Sequence, residues 1–249
     1  VDLLISRGFD PDKLFTIYNG IDFTLPPPAL GREEYFRSVG LQADKDSVVV
    51  GIAARLNPVK DVSTLIKGFA KAHASCPHLR LLIAGDGEER SMLEALAREL
   101  GVSDTVCFAG WISDTNTFYQ SIDINTLTSL SETFPYALTE GARASLPTVS
   151  SRVGGVPYLI DHGVNGLLFE PGDADGLAHH LITLAKDPVQ RQHLGERLRQ
   201  KGVEEYSLES TIQRQLTIYR TILRRKERAR TIGRRDGALV CGAYGRGNA

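Results

Sequence analysis

Two glutamates and two basic residues have the types and the spacing to bind a small molecule that carries both charge and hydroxyl groups. Glu132 and Glu140 lie in the stretch SETFPYALTE, and Arg55 and Lys60 follow an apolar run earlier in the chain. Guanidinium and ammonium groups bind phosphate, whereas carboxylates accept hydrogen bonds from neighbouring hydroxyls. The four side chains together predict a phosphorylated ligand with a diol, and a nucleotide sugar has both features.

The elements that must position these residues alternate between short apolar runs and helical patterns. This alternation predicts an α/β fold, a Rossmann-like doubly wound parallel sheet with helices on both faces and further helices at the C-terminus. We expect strands at 14–18, 48–54, 79–85, 105–110, 123–127, 148–151 and 165–171. We expect helices at 61–74, 89–100, 114–121, 135–145, 154–160, 173–186, 188–203 and 207–228.

The four residues follow strands of this predicted sheet. Ligands of open parallel sheets bind beyond the carboxyl ends of the strands. Arg55 and Lys60 come after the run 48–54, Glu132 comes after 123–127, and Glu140 lies in the helix that leaves the same edge. We therefore expect all four to face one cleft. If a sugar leaves a diphosphate there, Arg55 and Lys60 would stabilise the charge that grows on the departing phosphate.

Composition argues against several classes of protein. The 249 residues carry a formal net charge of −1, which gives no overall nucleic-acid signature. The three cysteines fit neither a disulfide framework nor a zinc site, and they favour a reducing compartment. No apolar run is long enough to span a bilayer. We expect a cytoplasmic protein, and because the sequence starts without Met, we expect it to be part of a longer chain.

One further feature leaves two interpretations open. The stretch 224–235 holds seven basic residues and one acidic residue. It is either a solvated helix end, where cations suit the helix dipole, or a contact with an anionic membrane surface. The second interpretation would place the protein peripherally at the inner membrane face.

The stretch SETFPYALTE also resembles the E-x7-E motif of the family 4 retaining glycosyltransferases, which have the two-domain GT-B fold. Five further stretches support the resemblance: IYNGID, GIAARLNPVKD, LLIAGDG, FAGWI and SSRVGGVPYLIDHGVNGLLFEPGD. It covers residues 10–220 and corresponds to the C-terminal, donor-binding half of such an enzyme. The resemblance implies a role in synthesis of cell-surface polysaccharide or glycolipid, with an acceptor domain preceding this chain.

The resemblance also implies residue roles. Arg55 and Lys60 would contact the donor diphosphate, Glu132 would hold hydroxyls of the donor sugar, and Glu140 would bind the ribose diol. The remaining nucleotide-sugar contacts would come from Gly85, Gly110, Trp111, Phe134 and Leu138. The donor would be a UDP-, GDP- or ADP-sugar, with neither a cofactor nor a metal required.

Two positions depart from the family pattern. Pro135 stands where Gly is commoner, so one backbone donor to the sugar is absent. Asp61 follows Lys60 where Gly is common, which would alter the phosphate loop.

The domain organisation implied is an interdomain connection at 1–28, a nucleotide-sugar-binding domain at 29–205, a helix at 206–230 and a tail at 231–249. GALVCGAYGRGNA in the tail resembles the first strand and glycine loop of polysaccharide pyruvyl transferases, the possible start of a second α/β domain.

Other functions remain as alternatives. A nicotinamide-dependent oxidoreductase would suit the fold, but no G-x-G-x-x-G follows the strands at 48 or 79. A non-catalytic nucleotide-sugar-binding domain is compatible with the same residues. Asp173 and Asp175 match the D-x-D pattern of metal-dependent glycosyltransferases, but their position after Pro171-Gly172 predicts a helix N-cap instead.

Overall fold

The computed structural model describes residues 2–241, and it describes side chains for residues 4–226. Contacts divide the chain into two compact units. The larger unit is Ile21–Ser207, and the smaller one comprises the described parts of Val1–Gly20 and Leu208–Ala249. The domain boundaries at 28/29 and 205/206 stay predictions.

The larger unit contains the expected Rossmann-like parallel sheet. Its six strands are β1 (Val48–Ala53), β2 (Leu79–Ala84), β3 (Val106–Gly110), β4 (Ile124–Leu127), β5 (Thr148–Ser151) and β6 (Leu167–Phe169). They lie in the order β3-β2-β1-β4-β5-β6, and every neighbouring pair is parallel. The chain order therefore runs outward from β1 on one side and from β4 on the other. The switch point, where a crevice opens in such sheets, lies between β1 and β4.

Helices occur in both units of the described chain. They are α1 (Asp2–Ser6), α2 (Arg32–Val39), α3 (Val62–Ser75), α4 (Arg90–Glu99), α5 (Thr115–Ser121), α6 (Tyr136–Arg143), α7 (Val156–Leu159), α8 (Ala174–Lys186), α9 (Pro188–Tyr206) and α10 (Leu208–Cys241). Short 3-10 helices occupy Pro11–Lys13, Pro58–Lys60 and Ser103–Thr105. Aspartate side chains cap several helices, and Asp173 accepts from the backbone N–H groups of Asp175 and Gly176. The predicted N-cap at Asp173 is thus confirmed.

Burial on both faces explains why the strand pattern is readable in the sequence. Residues 48–52 of β1 are all buried, and so is all of β4 and β5. One apolar layer joins β1 and β2 to α3 and α8, with Phe69 and Leu181 fully buried. A second layer, which includes Phe36 and Phe118, covers the other face of the sheet.

The structure departs from the sequence prediction in three respects. Residues 14–18 form no strand; the Tyr18 carbonyl accepts a hydrogen bond from Thr211 at 3.1 Å instead of joining a sheet. Helices α1 and α2 were not predicted, although acidic residues in the first turn of α2 and left-handed Gly40 after its end are ordinary helix signals.

The third departure concerns the C-terminal tail. Helix α10 continues through residues 237–241, where the sequence predicts a strand. The strand prediction is therefore wrong for these residues, and the glycine loop at 242–249 lies outside the described residues. The basic stretch 224–235 lies within α10, and its side chains beyond residue 226 are also outside the described ones.

Candidate nucleotide-sugar site

A cavity of about 840 Å³ opens at the carboxyl end of the sheet beside the switch point. Four residues predicted from the sequence line it: Arg55 after β1, Gly85 after β2, Trp111 after β3 and Glu140 in α6. Small residues form much of its wall, namely Ala53, Ala54, Ala84 and Ala137. Few bulky side chains therefore separate a ligand from the main chain, and backbone groups can contact it directly.

Gly85 shapes one side of this cavity. Its φ is +132°, and a Cβ there would lie 1.8 Å from the Ala54 carbonyl oxygen, so only glycine fits. The Gly85 N–H donates to the Gly110 carbonyl at 2.7 Å. Gly110 thus supports the site through the backbone and is not among the residues that line the cavity. Trp111 follows it with 84% of its surface exposed, which leaves a broad aromatic face at the rim.

Glu140 combines partial burial with several polar neighbours. Burial raises the pKa of Glu140, while the Tyr119 and Thr115 hydroxyls and the Arg143 guanidinium act in the opposite direction. Tyr119 is almost fully buried, and burial followed by the Glu140 charge raises its pKa well above the ordinary value. The Tyr119 hydroxyl lies close enough to the Glu140 carboxylate to shift both pKa values, but it does not reach hydrogen-bond geometry with any described residue, and neither does Arg143 Nε.

Lys60 and Glu132 contact each other beside the switch point. Lys60 Nζ lies 2.5 Å from Glu132 Oε1, and the Ser129 hydroxyl donates to the same oxygen at 2.6 Å. The loops that carry them are also joined by backbone, since the Leu130 N–H donates to the Val59 carbonyl at 2.8 Å. Neither Lys60 nor Glu132 is among the residues that line the 840 Å³ cavity. Of the four residues expected to face one cleft, Arg55 and Glu140 line the cavity, whereas Lys60 and Glu132 form an ion pair that does not line it.

A glycine turn after β5 holds the loop that carries Glu132. A Cβ at Gly154 would lie 1.7 Å from the Glu132 carbonyl oxygen, and one at Gly155 would lie 1.9 Å from that of Thr133. The Gly155 N–H donates to the Glu132 carbonyl at 3.2 Å. The two glycines therefore permit a close approach of main chains that any side chain would prevent.

Two further predicted contacts, Leu138 and Phe134, do not line the cavity either. Leu138 has no exposed surface, and its N–H donates to the Pro135 carbonyl at 3.2 Å. The prediction of Leu138 as a ligand contact is corrected, because Tyr136, Ala137 and Glu140 form the cavity face of α6 and Leu138 points to the core. Phe134 stacks on Tyr206 with ring centroids 5.1 Å apart and does not line the cavity.

Sequence reasoning missed several residues of the site. Ser113, Thr115 and Tyr136 line the cavity, and Ser129 binds Glu132. Thr115 could have been found, because it opens a helix directly after the strand β3 and its loop. Ser129 is a buried serine in a polar loop, and its spacing from Glu132 carries no recognised pattern.

The basic side chain that lines the cavity, Arg55, is mostly exposed to solvent. The Arg55 side chain is 72% exposed, and its guanidinium lies 3.8 Å from Glu88. A surface ion pair of this length contributes little to stability, about 0–1 kcal/mol. Arg55 is therefore able to exchange Glu88 for an anionic ligand.

Among the described residues, no helix is long and apolar enough to cross a membrane.

Comparison with known proteins gives a consistent result. Residues 32–201 match the protein family described as glycosyl transferases group 1. The chain is 31% identical over 222 residues to N-acetyl-alpha-D-glucosaminyl L-malate synthase of Bacillus anthracis, covering 86% of this chain and 55% of that protein. It is 35% identical over 170 residues to the lipopolysaccharide core biosynthesis glycosyltransferase LpsE of Rhizobium meliloti (strain 1021), covering 68% and 49%. The chain thus spans about half the length of these curated relatives.

Solved structures agree with the sequence comparison. The crystal structure of Anabaena HepE in complex with UDP superposes with a TM-score of 0.77 at 25% identity, covering 89% of this chain and 60% of that one. The same protein in complex with UDP-glucose gives a TM-score of 0.76 over the same shares.

Proposed function

Because the chain belongs to the glycosyl transferase group 1 family, we propose that it forms the donor-binding part of an enzyme that moves a sugar from a nucleotide diphosphate sugar to an acceptor. The ligands of the HepE structures, UDP and UDP-glucose, support a nucleotide-sugar donor. The aligned region covers only 55% and 49% of the two curated relatives, which supports an acceptor-binding domain outside these 249 residues.

The observation that carries the proposal is the cavity that Arg55 and Glu140 share at the switch point. A nucleoside diphosphate needs a cation for its phosphates and an acceptor for its ribose hydroxyls. Arg55 supplies five N–H donors, and the Glu140 carboxylate accepts from a diol. The alanine and glycine residues of the cavity wall have small side chains, so the planar base can approach the backbone and form hydrogen bonds with it.

The reaction we propose retains the configuration of the transferred sugar. The bond between the anomeric carbon and the diphosphate oxygen breaks, and a bond from that carbon to the acceptor oxygen forms on the same face. The departing phosphate takes the acceptor proton. Arg55 and Lys60 stabilise the negative charge on the leaving diphosphate, and Glu132 orients the sugar. Removing one such donor costs about 10²–10³ in rate.

Lys60 can serve this reaction while it is paired with Glu132. An ammonium group has three donors, and its contact with Glu132 Oε1 uses one of them. The proposal requires no metal ion, because the two basic side chains supply the positive charge. We further propose a role in the synthesis of cell-surface polysaccharide or glycolipid, which the relationship to the lipopolysaccharide core biosynthesis glycosyltransferase LpsE supports.

Calorimetric titration of the 249-residue chain with UDP, GDP and ADP tests the proposal. We expect one of these to bind, and we expect Arg55→Ala and Glu140→Ala each to weaken it by about tenfold or more, since each removes a charge-assisted hydrogen bond. Lys71→Ala is the matched control, because Lys71 pairs with Asp175 on the surface, at 2.5 Å. EDTA should leave the affinity unchanged.

Two outcomes would count against the proposal in different ways. Failure of the chain to bind any of the three diphosphates would overturn the donor-site assignment. Binding without sugar transfer by the full-length protein would instead support a non-catalytic nucleotide-sugar-binding domain, which is the alternative candidate.

A further inference from the structure

The carboxylate of Glu132 is held on one side only. Its Oε1 atom accepts two hydrogen bonds, from the Ser129 hydroxyl at 2.6 Å and from Lys60 Nζ at 2.5 Å. Its Oε2 atom accepts none from the residues that the structure describes. The side chain is 10% exposed, so the carboxylate has little freedom to turn. One oxygen is thus anchored, and the other keeps its capacity to accept a hydrogen bond.

The two anchors differ in how firmly they are held. Ser129 is fully buried, and its carbonyl accepts the Ser151 hydroxyl at 2.6 Å, which ties it to the end of β5. Lys60 reaches Glu132 through a flexible four-carbon stem and is 26% exposed. A diphosphate in the site would compete for the Lys60 ammonium. Ser129 is then the donor that keeps Glu132 in place.

We propose that Ser129 is a positioning residue, which orients Glu132 so that its free oxygen Oε2 meets a hydroxyl of the donor sugar. This inference rests on the proposed function, because it assumes that Glu132 faces the sugar. Hydrogen bonds from a hydroxyl to a carboxylate are short and stronger than neutral ones, and 2.6 Å is in their usual range. A fixed partner of this kind orients Glu132 before the donor binds, so less conformational freedom is lost on binding.

The test compares the nucleotide with and without its sugar. UDP and UDP-glucose are titrated into the wild type, Ser129→Ala and Ser131→Ala. We expect Ser129→Ala to bind UDP within about twofold of the wild type but UDP-glucose about tenfold more weakly, since only the sugar depends on Glu132. Ser131 lies in the same loop and is exposed, so Ser131→Ala should change neither affinity.

A double-variant cycle shows whether Ser129 acts through Glu132. In a Glu132→Ala background, which removes the acceptor of the Ser129 hydroxyl, Ser129→Ala should cause no further loss of UDP-glucose affinity. A loss that adds fully to that of Glu132→Ala would overturn the inference, as would equal weakening of UDP and UDP-glucose in the single variant. Ser129→Cys, of similar size but with a weaker donor, should give a partial loss and replaces Ser129→Ala if that variant does not fold.

The failures of the two proposals are distinguishable. A wild type that binds no diphosphate would overturn the proposed function together with this inference. A wild type that binds UDP and UDP-glucose, with Ser129→Ala indistinguishable from it, would overturn the role of Ser129 alone.

Discussion

At the scale of single residues, Glu140 keeps a charge in a partly buried place. Burial raises its pKa, so between the ordinary glutamate pKa and this higher value the folded state binds more protons than the unfolded state. The free energy of unfolding therefore falls as pH rises through that window. A side chain kept despite such a cost is typical of a functional site.

Replacing Glu140 by Gln should make this cost visible. We expect Glu140→Gln to raise the free energy of unfolding at pH 7 by up to about 1 kcal/mol, a small value because solvent screens a partly exposed group. The gain should disappear as pH falls below the ordinary glutamate pKa. Urea unfolding at a series of pH values measures this, with Glu196→Gln on the exposed face of α9 as control. A Glu140→Gln variant less stable than the wild type at pH 7 would contradict the argument.

Two buried tyrosines allow a matched comparison of paired and unpaired hydroxyls. The Tyr206 hydroxyl donates to the Tyr158 carbonyl at 2.9 Å, whereas the Tyr119 hydroxyl lies near the Glu140 carboxylate without hydrogen-bond geometry to any described residue. We expect Tyr206→Phe to lower the free energy of unfolding by about 1 kcal/mol and Tyr119→Phe to leave it unchanged or raise it. Thermal unfolding of both variants provides the measurement. An equal loss in both would show that Tyr119 has a partner after all.

At the scale of elements, Asp61 links the Lys60 loop to helix α3 in an unusual backbone conformation. Its φ is +44°, in the left-handed region that favours glycine, and its carboxylate caps α3 by accepting from the Thr64 N–H. This conformation explains why glycine would be expected at this position. Here the gain from the cap offsets the strain of a non-glycine residue.

The two effects at Asp61 can be separated by substitution. Asp61→Ala loses the cap and keeps the strain, and we expect it to lower the free energy of unfolding by about 1–2 kcal/mol. Asp61→Gly also loses the side-chain cap but relieves the strain, so its loss should be a few tenths of a kcal/mol. Denaturant unfolding measures both changes, and a larger loss for Asp61→Gly than for Asp61→Ala would refute this explanation.

At the scale of the whole molecule, the sheet was predictable because its strands are buried on both faces. Runs such as 48–53 and 79–84 contain almost only apolar residues, and a parallel sheet between two helical layers requires this. The strand expected at 14–18 has similar residues but no neighbouring strand. Strand pairing is a long-range property, which short apolar runs do not report.

The site residues were predictable where polar side chains directly follow the carboxyl ends of the parallel strands, because ligands bind at that edge of such sheets. Arg55 and Glu140 line one cavity because β1 ends, and α6 begins, at the same edge of the sheet. The error at Leu138 came from the helix period, since two residues along α6 turn a side chain by about 200° away from Glu140. The buried partners Ser129 and Tyr119 could not be predicted, because their contacts depend on loop and helix packing.

The alanine wall of the cavity has a consequence for protein engineering. On the proposed function, enlarging Ala53, Ala54, Ala84 or Ala137 would fill space that the nucleotide occupies, so libraries at these positions should mostly yield proteins without ligand affinity. Variants with altered nucleotide preference are better sought in the segment 111–115, because side chains of several sizes from this segment already line the cavity.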